Sequence, residues 1–107
     1  DDVRAVIDGL DRGTIVVHGD AAGVDCAAAN AARARGLRTE AHPPDYQAYQ
    51  PSQRWRAPLA RNVYVETCEK LIAWPAPWSK GTHDAIKKAK SAGIPVDERK
   101  PWANKTE

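Results

Sequence analysis

The chain has 107 residues, enough for one hydrophobic core, with 42% apolar residues, 28% charged residues and a net charge of +2. That balance argues against a disordered polypeptide, and no uninterrupted apolar run approaches the ~18 residues that a membrane helix needs. No apolar leader stands before a cleavage site and Cys26 and Cys68 are the only cysteines, so a cytoplasmic domain with reduced thiols and no membrane partner is expected.

The chain opens on an amphipathic helix. Val3, Val6, Ile7 and Leu10 fall at i, i+3, i+4 and i+7, with Asp2 placed to cap the start and Gly13 just past the end. The β-branched run Thr14 to His18 predicts a buried strand. A turn from Gly19 to Gly23 follows, and then an alanine-rich helix from Val24 to Arg35 that Gly36 stops. Leu37 to His42 predicts a second strand, which Pro43-Pro44 breaks, and the region through Ser52 reads as loop. A helix is predicted over Pro58 to Glu69, with Leu59, Val63 and Val65 as its apolar markers. Lys70 to Trp74 predicts a third strand, Pro75 and Pro77 force a loop to Lys80, and a helix from Gly81 to Ala92 turns Ala85, Ile86 and Ala89 inward. Ile94 to Val96 supplies a last strand, after which residues 98–107 form a polar tail beyond a single domain at 1–97.

Helices and strands alternate throughout. The pattern predicts an α/β fold, a three-layer sandwich with a mostly parallel sheet and helices on both faces. Such folds start with a strand whereas this chain starts with a helix, so an N-terminal strand is expected to be missing from it.

In a parallel sheet, ligands bind outside the carboxyl ends of the strands, where helices begin with unpaired N–H groups and a positive dipole end. Two loops are candidates. In the first, Gly19-Asp20-Ala21-Ala22-Gly23-Val24-Asp25, the glycines permit backbone approach and Asp25 accepts from hydroxyls or caps the helix. In the second, Pro77-Trp78-Ser79-Lys80-Gly81-Thr82, the side chains of Ser79, Lys80 and Thr82 suit a phosphate and Trp78 suits a base. It is not a Walker loop, because G-x-x-x-x-G-K-[ST] is absent.

GDAAGVD, then Arg61-Asn62, then PWSKGT occur in the order seen in the SLOG superfamily, which includes DprA-like proteins and Lonely-guy-like phosphoribohydrolases. The chain most resembles the small YspA-type branch, found in bacteria and phages, over Val3 to about Asp97. The resemblance implies a Rossmann-like fold that binds a nucleotide or nucleotide-derived ligand, of ADP-ribose type for instance, without a further cofactor. Gly19, Gly23 and Asp25 match its G-x-A-x-G-x-D motif, with Asp20 and Ala21 between them. Pro77, Gly81 and Thr82 match P-G-G-x-G-T, with Trp78 and Ser79 in place of the paired glycines. Arg61 matches the arginine that faces the ligand, and Asn62 follows it. The resemblance also implies self-association.

An enzymatic alternative is cleavage of a nucleoside 5′-monophosphate at its N-glycosidic bond, with Arg61 and Asp84 as the catalytic pair. Ala85 occupies the slot of the Lonely-guy glutamate, and Asp84, one residue earlier, points about 100° away around a helix. A third reading is a DprA-like binder of single-stranded DNA. It rests on charge: eight acids against five arginines through Gln53 leave −3, whereas eleven bases against six acids from Arg54 leave +5. Arg54-Trp55-Arg56 interleaves charge and aromatic as such binders do, although an exposed loop with a packing tryptophan is the expected reading of it. Trp74 is expected in the core, Tyr46 and Tyr49 in loop packing, and Cys26 as a buried inert thiol. His18, His42 and His83 lack metal-ligand spacing, and two thiols alone make no zinc site.

Overall fold

The computed structural model describes residues 2–21 and 23–100. Ala22 and most of the expected polar tail, 101–107, lie outside the described residues. The chain is of α/β type with short parallel strands, and it divides into two compact units, the first ending at His42 and the second running from Pro43 to Pro101.

In the first unit, helix α1 (Asp2–Asp8) precedes strand β1 (Ile15–His18), helix α2 (Val24–Ala34) and strand β2 (Arg38–Ala41). The two strands pair in parallel with Ile15 opposite Arg38 and His18 opposite Ala41, and α2 makes the crossover that a parallel pair requires. Ile7, Ala32 and Leu37 form the core, with Leu10, Val16, Ala28 and Ala31 packed against it. Alanine on the inner face of α2 keeps that helix close to its neighbours. Arg35, at the end of α2, donates from Nη1 to the carbonyls of Ile7 (2.6 Å) and Leu10 (2.9 Å). Those carbonyls lie at and just past the C-terminus of α1, where a cation satisfies orphan acceptors and meets the negative dipole end.

In the second unit, helix α3 (Arg56–Arg61) runs into a 3₁₀ segment (Asn62–Thr67), followed by strand β3 (Leu71–Ala73), helix α4 (Lys80–Ser91) and strand β4 (Val96–Glu98). Again the strands are parallel, with Leu71 opposite Val96, and a helix makes the crossover. Ala57, Val65, Ala73, Trp74, Ala76, Ile86 and Ala89 are buried. Lys88 of α4 donates to the Leu59 carbonyl at 2.8 Å, repeating for α3 what Arg35 does for α1.

The two crossover helices also end alike. Gly36 and Gly93 both adopt φ +76°, the left-handed conformation that glycine enters without a Cβ penalty. Leu37 N–H then reaches Ala32 O and Ile94 N–H reaches Ala89 O, both at 2.9 Å, while the glycine amides bond Arg33 O and Lys90 O. This is the Schellman arrangement.

Several expectations need correction. The strands lie in two sheets of two strands, not in one sheet. β1 is not a buried strand: Ile15, at its start and opposite an exposed Arg38, is 44% exposed. The helix predicted through Glu69 is α-helical only to Arg61. Beyond it the period falls from 3.6 to 3.0, so Asn62 and Val65 face inward and Val63 is 54% exposed. The loop before it contains 3₁₀ turns at Tyr46–Ala48 and Pro51–Gln53. The last strand begins at Val96 because the amide of Ile94 closes the helix end. Cys26 is exposed, and Trp55 is 60% exposed, so neither packs as expected. Trp74 is buried, as expected.

Ile7→Ala is expected to cost about 2–5 kcal/mol, as truncation of a buried isoleucine does. Ile15→Ala, the same truncation on the half-exposed strand of that unit, is expected to cost less than about 1 kcal/mol. Urea denaturation of the two variants measures the contrast.

Candidate functional site

The first candidate loop joins β1 to α2. Asp20 at φ 57° and Gly23 at φ 84° both hold positive backbone angles, which turn the chain sharply into the helix. Gly23 is the cap residue and, having no side chain, supplies no cap bond. The Asp25 carboxylate does not close on the helix amides either. Its Oδ2 accepts from Gly19 N–H at 3.0 Å and from Ala21 N–H at 3.2 Å. Between them, Asp20 N–H donates to Nδ1 of the buried His18 at 3.1 Å, which leaves the ring proton of a neutral His18 on Nε2. Three successive amides of the turn are therefore engaged by side chains. These three amides are paired with a carboxylate and an imidazole, whereas no side chain caps the first turn of α2.

The second candidate loop joins β3 to α4 and is arranged differently. Ser79 is the cap residue of α4 and makes no side-chain cap bond. Its own amide donates to Ala76 O at 3.0 Å, and Lys80 N–H reaches Trp78 O at 3.0 Å. Trp78 stands 80% exposed at the tip of the loop. His83, in the first turn, places Nε2 at 2.9 Å from Ala76 O and so ties the loop to the helix it enters. A Cβ built on Gly81 would meet nothing within 4 Å, so no crowding by the protein requires glycine there.

Asn62 organises this start of the helix. It is only 4% exposed, and three of its four hydrogen-bonding positions are used. Nδ2 donates to Gly81 O at 2.9 Å and to Asp84 Oδ2 at 3.1 Å, while Oδ1 accepts from Arg61 Nε at 3.0 Å. Lys88 Nζ joins the same Asp84 oxygen at 2.5 Å. The chain thus brings Arg61 and Asn62 against the first turns of α4, across 19 and 22 positions of sequence. Asn62 is a positioning residue, and Asp84 accepts from two donors that hold α4 to α3 and its 3₁₀ extension.

Asp20, Ala21, Gly23 and Asp25 thus share one turn with Gly19 in the first unit, and Arg61, Asn62, Gly81 and Asp84 share one network in the second. Ser79, Lys80 and Thr82 flank that network on the backbone at the head of α4. Lys88 and His18 were not singled out as site residues in the sequence. A lysine at i+4 from Asp84 is the one local signal that pointed to the former. Among the described residues no group of three His, Cys, Asp or Glu is placed to hold a metal ion. Among the same residues no helix is long and apolar enough to cross a membrane. No family model, curated protein or solved structure matches this chain.

Removing Asn62 leaves Gly81 O and Arg61 Nε without the partner they have, so Asn62→Ala is expected to destabilise by about 1–3 kcal/mol in denaturant melts. Asn62→Asp is expected to cost more, because it sets an acceptor against Gly81 O and a second carboxylate against Asp84. Asp25→Ala is expected to release the Gly19 and Ala21 amides, seen as faster hydrogen exchange at those two positions while α2 keeps its protection.

Proposed function

We propose that this chain is a Rossmann-like binding module for a nucleotide or nucleotide-derived ligand, with the phosphate taken at the start of α4. The observation that carries this reading is the Asn62 hydrogen bond to Gly81 O, which sets Arg61 beside a helix N-terminus that no side chain caps. With the Ser79 and Lys80 amides bonded within the loop, the Gly81 and Thr82 amides and an arginine fork are the donors left to form a phosphate site. The hydroxyls of Ser79 and Thr82 and the ammonium of Lys80 add donors at the same end of the helix. The exposed Trp78 offers a ring face for a base.

The Gly19–Gly23 turn has the other part in this reading. The amides of Gly19, Asp20 and Ala21 are engaged by Asp25 and His18, so in this reading the turn is pre-set and gives the phosphate fewer donors. The assignment of Asp25 to ligand hydroxyls rests on the sequence resemblance alone. Binding is favoured over N-glycosidic cleavage for a chemical reason. A base that activates water, or an anion that steadies a sugar cation, acts best with its charge uncompensated, and the Asp84 carboxylate is ion-paired with Lys88 and bonded by Asn62 through Oδ2.

Thermal-shift assays with AMP, ADP-ribose and NAD test the reading, each mixture then being analysed by mass spectrometry for ribose 5-phosphate. Saturation at ~100 times the dissociation constant adds about 2.7 kcal/mol, a rise of several degrees for a domain of this size. Stabilisation by a phosphorylated ligand, weaker stabilisation by its unphosphorylated nucleoside and no breakdown products are the expected results. Arg61→Ala is expected to remove the phosphate-dependent part of the shift and to keep the fold. An unchanged shift in that variant, or none with any ligand in the parent, contradicts the proposal.

A further inference from the structure

Away from the α4 start, the second unit carries an arginine–tryptophan surface for which the nucleotide reading has no use. From Tyr46 to Ala60 the sequence contains Arg54 and Arg56, no lysine and no acidic residue. Trp55 is 60% exposed and Tyr46 is 47% exposed, and the 3₁₀ turn that holds Tyr46 packs on α3. The Arg56 guanidinium lies over the Trp55 ring, 5.3 Å from its centroid. Neither Arg54 nor Arg56 pairs with a carboxylate among the described residues, and the Nε of Arg54 is buried with no hydrogen-bond partner. Positive charge therefore stands at an exposed aromatic, and no ion pair among the described residues engages Arg54 or Arg56.

We infer that the Arg54–Trp55–Arg56 surface docks an acidic segment of a partner polypeptide. Charge complementarity sets the sign of the occupant, and the geometry of the pair sets its kind. Single-stranded nucleic acid gains its affinity by stacking bases on open aromatic faces. Here the chain's own guanidinium lies over a face of Trp55. A carboxylate needs no ring face: it takes the N–H edge of a guanidinium, two bonds at a time, while the guanidinium stays stacked. Tryptophan, tyrosine and arginine without lysine is also the composition that concentrates binding energy at protein interfaces. The inference does not rest on the nucleotide reading and can fail independently of it.

Fluorescence anisotropy tests it, with a short labelled peptide rich in glutamate and aspartate, the same peptide with glutamine and asparagine in their place, and an oligo-dT of equal charge. The expected result is saturable binding of the acidic peptide, weakened by salt, with the neutral peptide inert and the oligo-dT weaker than the acidic peptide. Arg56→Ala and Trp55→Ala are each expected to weaken the peptide about tenfold or more. Arg56→Lys, which keeps the charge and loses the bidentate fork, is expected to weaken it by a smaller factor. Both positions are exposed, and circular dichroism verifies that the fold is kept. Tighter binding of the oligo-dT, no binding of the acidic peptide, or an affinity that Arg56→Ala and Trp55→Ala leave unchanged overturns the inference.

Discussion

Parallel strands cannot be joined by a tight turn, and both units of this chain follow from that constraint. Each holds a two-stranded parallel sheet, so each needs a helix to carry the chain back to the start of the next strand. The crossover fixes where the loops go. A loop leaves the carboxyl end of β1 or β3 and opens a helix, and a glycine at φ +76° ends that helix and feeds the next strand. A preceding helix covers each crossover, and a basic residue of the crossover, Arg35 or Lys88, binds the carbonyls at or beside its C-terminal end. Repetition of these devices at corresponding points shows that the loops are placed by backbone requirements before any ligand is considered.

The two loops diverge in how their polar groups are satisfied. In the first, Asp25 and His18 consume the turn's amides, and the product is a rigid corner with two residues at positive φ. In the second, stabilisation comes from behind the helix start. Asn62, Asp84 and Lys88 hold the first turns of α4 through Gly81 O and side-chain atoms, and none of the bonds they make uses an amide at the head of the helix. A polar network that is buried and satisfied fixes geometry strongly. The loop's own carbonyls take the Ser79 and Lys80 amides, while the network leaves those of Gly81 and Thr82, and this difference is why the phosphate is proposed at the second loop.

The local signals were legible in the sequence because they depend on neighbours in the chain. The β-branched run at Ile15–His18 formed a strand, and Gly36 and Gly93 stopped the helices where their conformational freedom was needed. The order of helices and strands, and the parallel pairing, followed. The 3₁₀ segment was not legible, since Val63 and Val65 fit a helical period and only the inward turn of Asn62 reveals the period of three. Ile94 looked like strand and instead closed a helix. In the candidate site, Arg61-Asn62 and the Gly81 loop were each visible as short motifs. Their meeting was not, because a hydrogen bond spanning 19 residues leaves no local pattern, and neither does the engagement of Asp84 by Lys88 and Asn62 together.

The most direct test of the phosphate assignment is an amide-resolved NMR titration with AMP, using adenosine as the control. The account expects AMP-specific shifts concentrated at Ser79 to Thr82, with the Arg61 side chain also moving, while the amides of Gly19 to Ala21 keep their bonds to Asp25 and His18 and shift little. AMP-specific shifts centred on Gly19 to Ala21, or shifts that adenosine reproduces in full, would contradict it.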